Sequence, residues 1–145
     1  MKIHIGVDKI SGLVHTRTTT PANIPDIVET DKLRRASDNE IIGDSGYLGM
    51  EKRDSADPKH ITYSAAKRYD QRKKLSPGGQ KQEQSLTSVR SKVEHVFYRL
   101  KVQFGYRKTR YRGLYKNSCR LTMLLCLANL LTAAAFEARM RFNAD

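Results

Sequence analysis

Asp44, Glu94, Arg90 and Lys101 are the residues whose types and spacing could carry chemistry. Carboxylate oxygens are the hard ligands that Mg2+ requires, and Mn2+ accepts the same donors. Two such ions ~3.5 to 4 Å apart can activate an attacking oxygen and stabilise a leaving one in phosphoryl transfer. Rotating the 85–105 segment as a helix at ~100° per residue brings Arg90, Glu94, Phe97 and Lys101 onto one stripe about 60° wide. Glu94 then sits at the rim of the apolar face, while Lys92, His95 and Arg99 point to solvent. By spacing alone the plainer reading of Glu94 is an i,i+4 surface contact with Arg90, worth a few tenths of a kcal/mol. Asp44 in Gly43-Asp44-Ser45-Gly46 likewise reads first as a turn residue.

These residues need elements to hold them. Lys2 to Asp8 alternates with Ile3, Ile5 and Val7 on one face, and Leu13 to Thr19 is β-branched after a turn at 9–12, which predicts a β-hairpin. Pro21 to Ala36 has helical spacing with Asn23 as its cap. Glu40 to Asp44 is a short apolar strand that presents Asp44 at its tip. A short helix-capable piece follows at 49–55, and His60 to Ser64 suits one more strand. The polar stretch at about 65–84 reads as a loop or insert. From Ser85 the recurrence of Val89, Val93, Val96, Leu100 and Phe104 is helical, and Gly105 stops it. After Tyr106 to Gly113, Asn117 or Ser118 caps a last apolar helix. The layout is α/β within one domain over residues 1–145, helices packing on a sheet.

The chain carries 27 Lys plus Arg against 15 Asp plus Glu, a formal net charge of +12, which favours a polyanionic partner over an acidic small molecule. Residues 90–120 hold ten of those cations and one acid, Glu94. Within them Arg107, Lys108, Arg110, Arg112 and Lys116 alternate with tyrosines, a mixture suited to phosphate contacts and base stacking. The tyrosines could equally pack beneath the cations. Cys119 and Cys126 lie seven apart, fit no metal-ligand pattern and read as small buried residues. The histidines at 4, 15, 60 and 95 do not cluster. No signal-peptide pattern opens the sequence, so a cytoplasmic location is expected. Leu121 to Phe136 has no charge, but it falls short of the ~20 residues a membrane span needs, and a buried helix is expected instead.

Several blocks, in order, resemble those of bacterial insertion-sequence DDE transposases. They are Lys2-Ile3-His4-Ile5-Gly6-Val7-Asp8 with Ser11-Gly12-Leu13-Val14-His15, Thr20-Pro21-Ala22-Asn23 with Asp26, and Gly43-Asp44-Ser45-Gly46-Tyr47-Leu48-Gly49. Arg90-Ser91-Lys92-Val93-Glu94-His95, Gln103-Phe104-Gly105 and Arg110-Tyr111-Arg112-Gly113-Leu114 continue the series.

The resemblance implies an RNase H-like mixed sheet with flanking helices, and metal-dependent cleavage and transfer of DNA strands during transposition. It makes Asp44 the second catalytic aspartate and Glu94 the glutamate, both ligands of Mg2+ or Mn2+. Arg90 and Lys101 match the Arg-x3-Glu-x6-Lys part of the family signature; Thr87 stands where many relatives have tyrosine. In the family the first aspartate lies on a strand upstream of the Lys2 to Asp8 block, and Asp8 matches a different position. The expectation is therefore an N-terminally truncated core, with its first strand missing, that is inactive or weakened alone. Its expected partner is double-stranded DNA, both transposon ends and target. Association as a homo-oligomer or with a full-length transposase is also expected, because a sheet edge without its neighbour invites it. The alternative is a DNA-binding fragment, without enzymatic activity, that modulates a full-length transposase.

Overall fold

The computed structural model describes residues 1–53, 60–67 and 75–142, leaving aside the side chain of residue 82. The chain divides into two compact units, one formed by 1–22 with 92–145 and the other by 23–91.

The first unit opens with the expected hairpin. β1 (Lys2–Val7) pairs antiparallel with β2 (Val14–Thr20), with a bulge at Gly6/Val7. Asp8 closes the turn by accepting from the Ile10 and Ser11 amides at 3.0 and 2.7 Å. Ile3, Ile5, Val7 and Val14 pack against a core of Val96, Leu100, Tyr106, Leu121, Leu124 and Leu125. The long C-terminal helix is fastened to the hairpin by polar bonds as well. Asn129 donates to the Val14 carbonyl and accepts from its amide, both at 2.8 Å, and Arg17 donates to Ser118 Oγ at 2.7 Å.

The second unit contains β3 (Glu40–Gly43) and β4 (Thr62–Ala65), paired in parallel with Glu40 opposite Thr62 and Gly43 opposite Ala65. Among the described residues the four strands thus make two two-stranded sheets, not one mixed sheet. The helix expected over 21–36 is shorter: a 3-10 turn, Asp26–Glu29, runs into α1 (Thr30–Leu33). Pro25, whose extended backbone forbids an earlier start, takes the cap position in place of Asn23, and no side chain caps the turn. The 49–55 piece holds a 3-10 turn at Met50–Lys52, and residues 54–59 lie outside those described.

α2 (Pro77–Tyr98) crosses from the second unit into the first. It starts inside the stretch expected to be a loop, of which 68–74 lie outside the described residues. The signal was Ser76-Pro77: proline suits the first helical position, and Ser76 Oγ accepts from the Gly79 amide at 3.4 Å. Beyond Tyr98 the chain widens into a π-turn, Arg99–Gln103, where the Phe104 amide reaches the Arg99 carbonyl at 2.9 Å. Gly105 ends it with a left-handed φ of 62°, as its position in the sequence led us to expect.

α3 (Leu114–Phe142) is long and apolar enough to cross a membrane by length and composition. It is buried along one side only, through Leu121, Leu124, Leu125 and Ala128. The buried helix expected here is thus buried along one side, and the expectation of buried cysteines is corrected, since Cys119 and Cys126 are exposed. An apolar run lacks the polar positions that would mark an outer face, so its periodicity cannot reveal that one side is open.

Candidate functional site

In the second unit, β3 ends at Gly43 and delivers Asp44 to the surface. The carboxylate caps the 3-10 turn Ser45–Tyr47, its Oδ1 accepting from the Ser45 amide at 2.6 Å. Arg90 Nη2 meets the same oxygen at 3.0 Å, with the Asp44 side chain 61% exposed and that of Arg90 18%. A pair this exposed contributes at most about 1 kcal/mol, so its value is positional: it aims a guanidinium and a carboxylate at one spot. The turn fits closely behind them. A Cβ on Gly43 would meet Tyr47 Cβ at 2.8 Å, which explains a glycine at the end of the strand.

Tyr47 marks the local field. Burial first, then the negative charges of Asp26, Asp44 and Glu29, push its hydroxyl up to about 12. Glu29 is itself buried and receives Lys32 Nζ at 2.9 Å. The phenol therefore stays protonated well into the alkaline range, in an acid-lined corner.

Glu94 and Lys101 belong to the first unit. Glu94 is exposed, four residues beyond Arg90 on the continuous helix α2. Lys101 is exposed in the π-turn, its Nζ 6.0 Å from the centre of the Phe97 ring. Each π-turn residue advances by less than the α-helical ~100°, so the uniform stripe drawn through Arg90, Glu94, Phe97 and Lys101 does not extend unchanged past Tyr98. Two of the side chains expected to point to solvent also differ. Arg99 is half-buried, with its Nε sealed, and Lys92 donates to the Lys9 and Ile10 carbonyls of the hairpin turn. His95 is exposed as expected.

The basic segment follows directly. Tyr106 is buried, its amide donating to the Leu100 carbonyl at 2.8 Å, whereas Tyr111 is exposed, so one tyrosine packs and the other does not. The Arg120 guanidinium lies 5.5 Å from the Tyr106 ring and 6.0 Å from that of Tyr111. Asn117 is not a cap ahead of the helix; it lies within α3, buried, and donates to the Tyr111 and Gly113 carbonyls at 2.6 and 2.7 Å. The backbone is thus tied down while Arg107, Lys108, Arg110, Arg112 and Lys116 all stand exposed.

The structure brings Asp44 together with Arg90, a pairing that sequence reasoning missed because nothing local links residues so far apart. The Ser45 amide and the Arg90 guanidinium both meet the Asp44 carboxylate at Oδ1. Exposed carboxylates such as Asp44 and Glu94 are chemically suited to a hard divalent cation. Among the described residues no group of three or more His, Cys, Asp or Glu side chains is assembled for a metal.

No solved structure matches the chain. A family model described as the transposase DDE domain matches residues 1–130. With a strand-tip aspartate, a helical glutamate and an anchored basic segment inside that match, the chain belongs to the transposase DDE domain family.

Proposed function

We propose that this chain belongs to an RNase H-like catalytic core that cleaves and transfers DNA strands during transposition of an insertion sequence. The observation that carries the reading is the Arg90–Asp44 ion pair at the tip of β3, which unites two residues, from distant parts of the chain, that the resemblance assigns to the family's site. Asp44 and Glu94 would hold the divalent ion, Mg2+ or Mn2+. When bound, that ion supplies the charge that activates an attacking oxygen and stabilises the leaving one. Arg90 orients the Asp44 carboxylate and is placed to take a phosphate oxygen when the carboxylate turns to the cation. Lys101 and the exposed Arg107, Lys108, Arg110 and Arg112 hold the duplex backbone by phosphate contacts, which position DNA without reading its sequence.

The resemblance makes Asp44 and Glu94 two of the family's three catalytic carboxylates, and on that reading these 145 residues are expected to bind DNA without transferring strands. Incubating the purified protein with Mg2+ or Mn2+ and a labelled transposon-end duplex tests this. Duplex binding with no strand-transfer product is the expected result. Metal-dependent product that disappears in Asp44→Ala and Glu94→Ala would overturn the inactivity, and absence of duplex binding would overturn the DNA contact. The anchored basic segment also favours a second reading, a DNA-binding fragment that modulates a full-length transposase by occupying its ends or joining its complexes.

A further inference from the structure

The outward side of α3 carries a second apolar stripe that the first unit leaves uncovered. At ~100° per residue Cys119, Met123, Cys126, Leu127, Leu130 and Ala134 fall within about 50° of a single line. All six are exposed, Met123 to 60%, Leu127 to 43% and Leu130 to 67%. Lys116 ends the same line on one side and Glu137 on the other, both exposed. An apolar ridge of this length is uncommon on a monomer and marks a contact surface.

A bilayer is a poor occupant, because the opposite side of this helix is fastened to the hairpin through Asn129 and Ser118. A second copy of the chain is a good one, because the stripe is self-complementary when reversed. Laid antiparallel about a two-fold axis between Cys126 and Leu127, Met123 faces the partner subunit's Leu130, and Cys119 faces the partner subunit's Ala134. In that one register Lys116 faces the partner subunit's Glu137, and the same pair recurs at the other end. Large residues meet in the middle, small ones flank them and opposite charges close both ends, which is what an isologous interface requires. The ridge would bury roughly 1,000 Å2 in total, where specific but weak and concentration-dependent association begins.

We propose that the outer face of α3 is a homodimer interface in which two copies pair antiparallel, with Lys116 opposite Glu137 at each end. The cysteines report the register. The two copies of Cys126 flank the axis and lie side by side, whereas the two copies of Cys119 are ~22 Å apart along the helices.

Analytical ultracentrifugation of the 145-residue protein over a concentration series, with cross-linking by the shortest bis-maleimide, tests the proposal. The expected result is a reversible dimer, lost in Leu130→Lys, with a cross-link that Cys126→Ser removes and Cys119→Ser leaves. Lys116→Glu should weaken the dimer roughly tenfold, and adding Glu137→Lys should restore it. Leu130 is exposed, so its replacement leaves the fold intact, as circular dichroism checks. A monomer at all concentrations overturns the proposal, whether or not it partitions into neutral phosphatidylcholine vesicles. So does a dimer that survives Leu130→Lys, or one that cross-links through Cys119. Failure here leaves duplex binding untouched, which separates this proposal from the reading of the DNA contact.

Discussion

Changing Arg107, Lys108, Arg110 and Arg112 together to alanine is expected to lower duplex affinity at least about a hundredfold at low salt, and to flatten its salt dependence. Each phosphate contact contributes about 0.9 to the slope of log affinity against log salt, so losing four should remove roughly three to four units of slope. All four side chains are exposed, while the backbone beneath them is held by Tyr106 and Asn117, so the variant should keep its melting temperature. Fluorescence anisotropy between ~50 and 200 mM salt reads both quantities. An unchanged slope would place the DNA elsewhere on the molecule.

Asn117→Ala is expected to destabilise the first unit by about 2 kcal/mol and to weaken duplex binding although no charge is removed. The side chain is buried and satisfies two carbonyls, at Tyr111 and Gly113, with a longer bond from the Tyr111 amide at 3.3 Å. Its loss leaves those groups without partners, at ~1 to 3 kcal/mol for each one that water does not reach. It also frees the 106–113 backbone, so each cation must be ordered when DNA binds. Urea denaturation gives the stability change. An anisotropy titration should show weaker binding with the salt slope retained, in contrast to the fourfold variant. Loss of stability without loss of affinity would mean that the segment's order does not matter for binding.

Much of this arrangement was legible in the residues, and what escaped did so for identifiable reasons. The hairpin, the strand ending at Asp44 and the Gly105 stop are local: alternation, an abrupt polarity change and a glycine needing a left-handed φ can each be read within a few residues. The start of α2 was also local but was masked, because Pro77-Gly78-Gly79 reads as turn chemistry unless Ser76 is recognised as a cap. The π-turn has no sequence signature, and it altered the expected placement of Lys101. The open face of α3 was hidden for a different reason: residues apolar on both sides of a helix look alike whether another element covers them or not. The Asp44–Arg90 pair needed the tertiary fold, because spacing offered Arg90 a nearer partner in Glu94.

The proposed function has Asp44 and Glu94 serve as ligands of one divalent ion. Mn2+ binding followed by electron paramagnetic resonance, in the parent protein, Asp44→Asn, Glu94→Gln and the double variant, tests it most directly. A shared ion predicts that either single change weakens the same site and that the double change costs little more than one, because two ligands of one ion act as a unit. Two independent losses that add, or a site that survives either change, would show that the two carboxylates do not meet.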